Sequence, residues 1–186
     1  MKIVRIFADE DCLLTVHYDN EKQDEFARLF NEWTDTEFLE SFFTTHERDL
    51  DYWGDISVED AIKITRDEAI KFYDSLITLT KLKPQLRKRK FINLFKPLEN
   101  DQSRFDYLDK KKAYGPGNKS WLRLFALKIS DDMFLITGGA IKLTRTLQER
   151  DHTDKELSKI EICKRFLKNQ GIIDDSGILE ILETML

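Results

Sequence analysis

Cysteine and histidine are scarce in this 186-residue chain, and each scarcity excludes a class of function. Two cysteines, Cys12 and Cys163, are too few for a disulfide framework or a Cys-built zinc site. Three histidines, at positions 17, 46 and 152, have no partner at ligand spacing, so neither a transition-metal enzyme nor any cofactor is expected. No run approaches the ~20 apolar residues that a membrane helix needs. The opening Met1–Asp11 is too short in apolar run and too acidic for a signal peptide. A soluble, cytoplasmic protein with no membrane and no metal partner is the expectation. What the chain does have is apolar bulk. It is 41% hydrophobic and carries 13 Phe, 5 Tyr and 3 Trp, enough for one sizeable core. Residues 1–186 therefore read as a single domain.

The net charge of −5 conceals a polarity. Residues 1–79 hold 8 Lys/Arg against 20 Asp/Glu, a net of −12. Residues 80–170 hold 22 against 11, a net of +11, and the last sixteen hold 0 against 4. Three readings fit this asymmetry. The basic segment meets a polyanion such as RNA, the acidic part lies against it within the fold, or an acidic protein partner covers it.

Lys2–Phe7 and Cys12–Tyr18 are rich in β-branched and aromatic residues, with Asp9-Glu10-Asp11 between them, and read as an opening hairpin. Phe26, Leu29, Phe30 and Trp33 fall on one helical stripe. Thr34 with Glu37, Thr65 with Glu68, and Thr153 with Glu156 each have capping-box spacing, and Ser57 with Asp60 is a further helix start. The longest helical period follows Thr65, through Ala69, Ile70, Tyr73, Leu76 and Ile77, and Pro84 limits it. Residues 81–96 carry seven cations and no acid, with Arg87–Lys90 as a charged helix end or exposed face. Ala113-Tyr114-Gly115-Pro116-Gly117-Asn118 is the strongest loop signal. Ser120–Ile129 is apolar on both faces and reads as a central strand. Met133–Leu147 reads as the next strand, in which Gly138-Gly139 marks a bulge or the close approach of another group. A helix with Leu157, Ile160, Cys163, Phe166 and Leu167 runs to Gly171, and a short amphipathic tail through Met185 ends the chain. The order predicts an α+β domain, a twisted antiparallel β-sheet with N-terminal helices and a C-terminal helix, its N-terminal strands joining the same sheet.

Leu94-Phe95-Lys96-Pro97-Leu98-Glu99, a basic loop, Trp121-Leu122-Arg123-Leu124-Phe125, Phe134–Thr144 and a capped helix follow one another in this chain. In this order the segment resembles the RelE/HigB superfamily, small toxins of bacterial toxin–antitoxin pairs. The resemblance covers about residues 91–170, and an acidic helical elaboration at about 19–83 is foreign to the compact toxins. It implies a RelE-like fold, RNA or the ribosome as a partner, and a metal-independent, ribosome-associated mRNA endoribonuclease restrained by an antitoxin-like protein of helix-turn-helix type. Arg123 sits where the family keeps a strand arginine that contacts RNA phosphates. Lys142 and Thr144 match the Lys-Lys-Thr that ends the last strand, with Leu143 in place of the second lysine. Lys110, Lys111, Lys112 and Tyr114 occupy the basic loop before the central strand. The tyrosine or histidine that some members carry after the last strand has no counterpart here.

Metal-free cleavage by the ribose 2′-hydroxyl needs a proton acceptor, a cation at the phosphate oxygens and an acid for the leaving oxygen. Arg123, Lys142 and Arg145 are the catalytic candidates, because arginine stays charged and its fork holds two oxygens. Strict alternation would send Lys142 and Arg145 to opposite faces, which favours Lys142. Lys110, Lys111, Lys112, Tyr114 and Lys128 are the RNA-binding candidates, the tyrosine as a stacking platform. For Arg123 the competing reading is a salt bridge to a carboxylate of the acidic half; for Lys110–Lys112 it is a solvated loop. His152 is a proton carrier or a surface residue. Gly138-Gly139 lacks the strand-to-helix order of a phosphate cradle. The alternative function is a non-catalytic protein–protein interaction module that binds an antitoxin-like partner through the same sheet.

Overall fold

A computed structural model describes residues 1–8, 10–98, 108–117, 119–172 and 174–184. Asp9 of the expected hairpin turn, Glu99, Asn118 and Met185 lie outside the described residues.

The chain begins with the expected hairpin, β1 (Lys2–Arg5) antiparallel to β2 (Leu13–His17). Four helices follow, α1 (Glu25–Thr34), α2 (Thr36–Thr45), the short α3 (Glu47–Leu50) and α4 (Val58–Thr80), with a 3-10 turn at Asp51–Trp53. Then come α5 (Pro84–Leu94), β3 (Lys96–Pro97), β4 (Asp109–Tyr114), β5 (Leu122–Ser130), β6 (Met133–Ile141), α6 (Asp151–Asn169) and α7 (Asp175–Thr184). The six strands form one sheet in the order β1-β2-β6-β5-β4-β3.

The α+β class holds, but the sheet is mixed, not antiparallel. β2 runs parallel to β6, pairing Leu13–Thr15 with Phe134–Ile136. The physical reason lies in the connection. No tight turn joins these strands; four helices, α5 and three further strands intervene, so nothing local forces the antiparallel sense. The other four pairings are antiparallel.

Both faces of the sheet are covered. Leu122, Leu124 and Ala126 of β5 pack with Phe26, Leu29 and Trp33 of α1, Phe43 of α2, Phe72 and Leu76 of α4 and Phe91 of α5. Phe125, Leu127 and Ile129 face the other way, against Ile160, Cys163 and Leu167 of α6 and Ile178 and Leu182 of α7. This is why β5 is apolar on alternate and intervening positions alike, as a central strand requires.

Local signals explain the helix starts, with three corrections. Asp24 caps α1 through Ala27 N–H at 3.0 Å, and Ser57 caps α4 through Asp60 N–H at 3.1 Å. α2 is capped by Asp35, whose carboxylate accepts from Glu37 and Phe38 N–H, not by Thr34. A charged oxygen is the better acceptor at a helix N-terminus, and the Thr34 hydroxyl instead donates to Phe30 O. Thr65 and Glu68 lie inside α4, where Thr65 is buried and accepts from Trp121 Nε1 at 2.9 Å. The inward face of α4 is accordingly Ala61, Thr65, Ala69, Phe72, Leu76 and Thr80, with Ile70 and Tyr73 outside it. Thr153 and Glu156 do not start α6 either; Glu156 turns to the sheet and accepts from Gly139 N–H at 2.9 Å.

The Gly138-Gly139 expectation is met in both forms. The β5–β6 register slips between Phe125/Ala126, leaving Thr137 as the extra residue of a bulge. A Cβ on Gly139 would stand 2.6 Å from Arg123 O, too close for any side chain. β6 ends at Ile141, six residues short of the expected Leu147.

Candidate nucleic-acid interface

The candidate site is set by strand alternation on β4 and β5. On β5, Arg123 points away from Leu122 and Leu124, toward the side that α6 covers farther along the strand. On β4, Ala113 joins the opposite core, so Lys110, Lys112 and Tyr114 share the side of Arg123, and Lys111 does not. The cross-strand register aligns Tyr114, Arg123 and Ala140 on one rung. Lys110–Lys112 are thus strand residues, not a loop.

Arg123 is 8% exposed. Its guanidinium lies 4.0 Å from the centre of the Tyr114 ring, a cation–π contact, and donates to Ser120 O at 2.6 Å and Leu122 O at 2.8 Å. Among the described residues no carboxylate pairs with it, so the salt bridge to the acidic half is not formed. Burial pushes its pKa down to about 10, against weaker pulls the other way from Tyr114 and Glu68. Glu68 accepts from Ser120 Oγ behind the rung, and its own pKa is raised by burial.

Lys142 and Arg145 come to the same place by a route that alternation misses. Because β6 stops at Ile141, the following residues leave the pleat. The Lys142 ammonium donates to Thr144 O at 2.6 Å and Arg145 O at 2.7 Å, curling the turn around itself. Both residues, with Leu98, Lys112, Tyr114 and Arg123, line one cavity of ≈ 280 Å³ closed by Thr146–Gln148. Burial, and then the charge of Arg123, hold Lys142 below the ordinary lysine pKa; Glu149 opposes them. Lys112 donates to Leu98 O at 3.0 Å and sits 5.9 Å from the Tyr114 ring. The groove thus gathers Lys112, Tyr114, Arg123, Lys142 and Arg145.

The other candidates lie elsewhere. Lys110 is paired with Glu161 of α6, Lys111 with Asp109 on the opposite face, and Lys128 with Asp131 at the far end of β5. Arg87 is bound bidentately by Asp132, at 2.7 and 2.6 Å. His152 contacts Ile141 O at 3.0 Å and lies against His46 and Phe42, outside the groove.

A second cavity, of ≈ 410 Å³, opens on the other side of the same rung. Tyr114 and Arg123 line it too, together with Tyr52, Trp53, Lys119 and Ser120. Tyr52 and Trp53 come from the 3-10 turn between α3 and α4. Neither residue is among the sequence-predicted candidates; the signal available in the sequence is an aromatic pair in an otherwise acidic loop, with Gly54 behind it.

No family model matches this chain, and neither does any curated protein or any solved structure. Among the described residues no cluster of three or more His, Cys, Asp or Glu is placed to hold a metal ion. No described helix is long and apolar enough to cross a membrane.

Proposed function

We propose that this chain is an RNA-directed protein of RelE/HigB type, and that the groove holds the sugar–phosphate backbone of a single strand. One observation carries the reading: Arg123 is buried as a cation with no ion pair among the described residues, at the base of a groove lined by three more cations. Taking a guanidinium out of water without a compensating carboxylate costs several kcal/mol. A phosphate provides the missing charge, and the planar fork matches its oxygens. Lys112, Lys142 and Arg145 extend the field along the strand.

The same lining favours holding RNA over cutting it. Of the three cleavage roles, Arg123 fits the cation at the phosphate and Lys142 the acid for the leaving oxygen. Among the described residues no carboxylate or imidazole lines the groove, and these residues supply no proton acceptor.

The test is binding of a short labelled single-stranded RNA in the presence of EDTA. Wild-type protein should bind, with a log–log salt slope of roughly −3 if four cations each neutralise a phosphate. Arg123→Gln with Lys142→Gln should weaken binding at least tenfold. Undiminished binding by that double variant, or no binding by wild-type protein at low salt, defeats the reading.

A further inference from the structure

We propose that the ≈ 410 Å³ cavity is a nucleobase subsite, in which a base of an unpaired strand stacks on Tyr52 while its flanking phosphates lie in the adjoining groove. The proposal rests on the reading of that groove as a phosphodiester site, and it adds a requirement for an unpaired base.

Tyr52 is 67% exposed, more than any other large apolar side chain among the described residues. An aromatic left so far in water contributes little to the core and leaves a ring face open for contact. The turn beneath it is anchored. The Tyr52 ring meets Trp53 edge-on, with centroids 6.0 Å apart and planes at 80°. Trp53 in turn packs edge-on against buried Trp121 at 5.3 Å, and its indole N–H donates to Leu143 O at 2.7 Å. That bond ties the platform to the residue next to Lys142, so base site and phosphate site share one frame.

The opposite wall comes from the groove. One ring face of Tyr114 already carries Arg123 at 4.0 Å, which leaves Tyr52 as the uncommitted aromatic. Gly117, which lines the same cavity, lies against the Glu68 carboxylate of α4, where a Cβ would collide with it. The volume lies in the ~300–1,000 Å³ range of sites that enclose a small ligand.

Charge decides which part of the nucleotide goes where. Asp51 and Asp55 are exposed on either side of the Tyr52–Trp53 pair and repel phosphate. Lys119 and Arg123 line the cavity, and Arg123 lines the groove as well. A neutral base at the tyrosine with its phosphates beyond Arg123 satisfies both. A paired base, stacked on both faces within a helix, has no face to offer, so the site selects single strands.

The experiment measures three probes against the full-length protein: a purine-rich single-stranded RNA, an RNA duplex of the same length, and inorganic polyphosphate, which has charge and no base. Tyr52→Ala should weaken the single strand about tenfold. It should leave polyphosphate unchanged and shrink the preference for single strand over duplex. Tyr52→Phe should restore binding, and a 2-aminopurine in the strand should be quenched by wild-type protein and less so by Tyr52→Ala. Equal single-strand affinity in Tyr52→Ala overturns the subsite while the groove reading stands. An equal loss for polyphosphate also overturns it. If wild-type protein binds neither RNA nor polyphosphate, the groove reading fails and takes the subsite with it.

Discussion

Arg28 and Arg123 are both largely removed from water, and the protein treats them oppositely. Arg28, on α1, donates to Glu25 at 2.7 Å, Glu32 at 2.8 Å and Glu156 at 3.0 Å. Lys159 completes the cluster through Glu25 and Glu156, at 2.9 and 2.8 Å. Burial alone would lower the Arg28 pKa; the hydrogen bond to Glu25 and the charges of Glu156, Glu25 and Glu32 outweigh it and hold the group above its ordinary value. Among the described residues Arg123 has backbone carbonyls and a tyrosine ring but no carboxylate, and burial wins. The first cluster staples α1 to α6 along the stretch of β6 that β2 does not reach. There Glu156 takes the Gly139 N–H, the Tyr18 hydroxyl donates to Thr137 O, and His152 meets Ile141 O. Every charge in it has a structural use. At Arg123 the fold retains a charge that no described carboxylate compensates, and such local inconsistency is where a site is to be sought.

The largest effect should come from breaking the compensated cluster. Glu156→Ala would leave the Gly139 N–H without its acceptor and Arg28 and Lys159 with a smaller share of negative charge. Removing one partner from a buried ionic group costs about 3 kcal/mol, and urea unfolding should show a loss of that order. A loss under about 0.5 kcal/mol would mean that the cluster is solvated and that the contrast with Arg123 is not one of structure against function.

How much of this contrast could be read from residues alone depends on distance along the chain. The stripe Phe26, Leu29, Phe30 and Trp33 is buried as its spacing demands, and β5 is central as its composition demands. Arg123 was visible because a charge in an apolar strand needs a reason. The parallel pairing of β2 with β6 was not visible, since partners more than a hundred residues apart leave no local mark. The Thr-x-x-Glu spacings misled for a related reason. Thr65 is committed to Trp121 and Glu156 to Gly139 and Arg28, so long-range contacts took residues that local chemistry would place at helix starts. Lys142 and Arg145 share a groove only because the strand ends at Ile141, and alternation says nothing beyond a strand's end. Tyr52 carries no periodicity or motif of its own within the acidic elaboration at 19–83.

A crossed pair of substitutions sharpens the comparison and should give the next largest effect. Arg28→Met should destabilise by roughly 2–3 kcal/mol, since three carboxylates lose their central cation, and should leave RNA affinity of the folded protein unchanged. Arg123→Met should do the reverse: RNA binding at least tenfold weaker, with the unfolding midpoint equal to wild type or higher, because an apolar side chain in place of an unpaired buried charge is neutral or stabilising. Both are read from one urea series and one anisotropy titration per variant. If Arg123→Met unfolds as readily as Arg28→Met, Arg123 is a structural residue and the groove loses its central argument.

The smallest effect is a pH dependence confined to the α2–α6 side. The His46 pKa is lowered, by burial first and then by the charge of His152, while Asp49 pulls upward and Arg150 pushes down again. In the interval between its folded value and the ordinary 6.5, the unfolded chain binds the extra proton, so stability rises with pH. The contribution is whole above about 6.5 and is lost as pH falls through the folded value. The effect is modest because His46 is only part-buried and water screens it. Asp49, held low by its hydrogen bond to Arg150, loses its contribution only at more acid pH, so the two windows separate. Urea midpoints should therefore decline from pH 7.5 to 5.5 in wild-type protein, and His46→Gln should flatten that decline. Arg123 titrates far above this range and should leave the slope untouched when replaced. A slope that survives His46→Gln, or one that vanishes with Arg123→Met, would show that the two regions are coupled and that their opposite treatment of charge is not local.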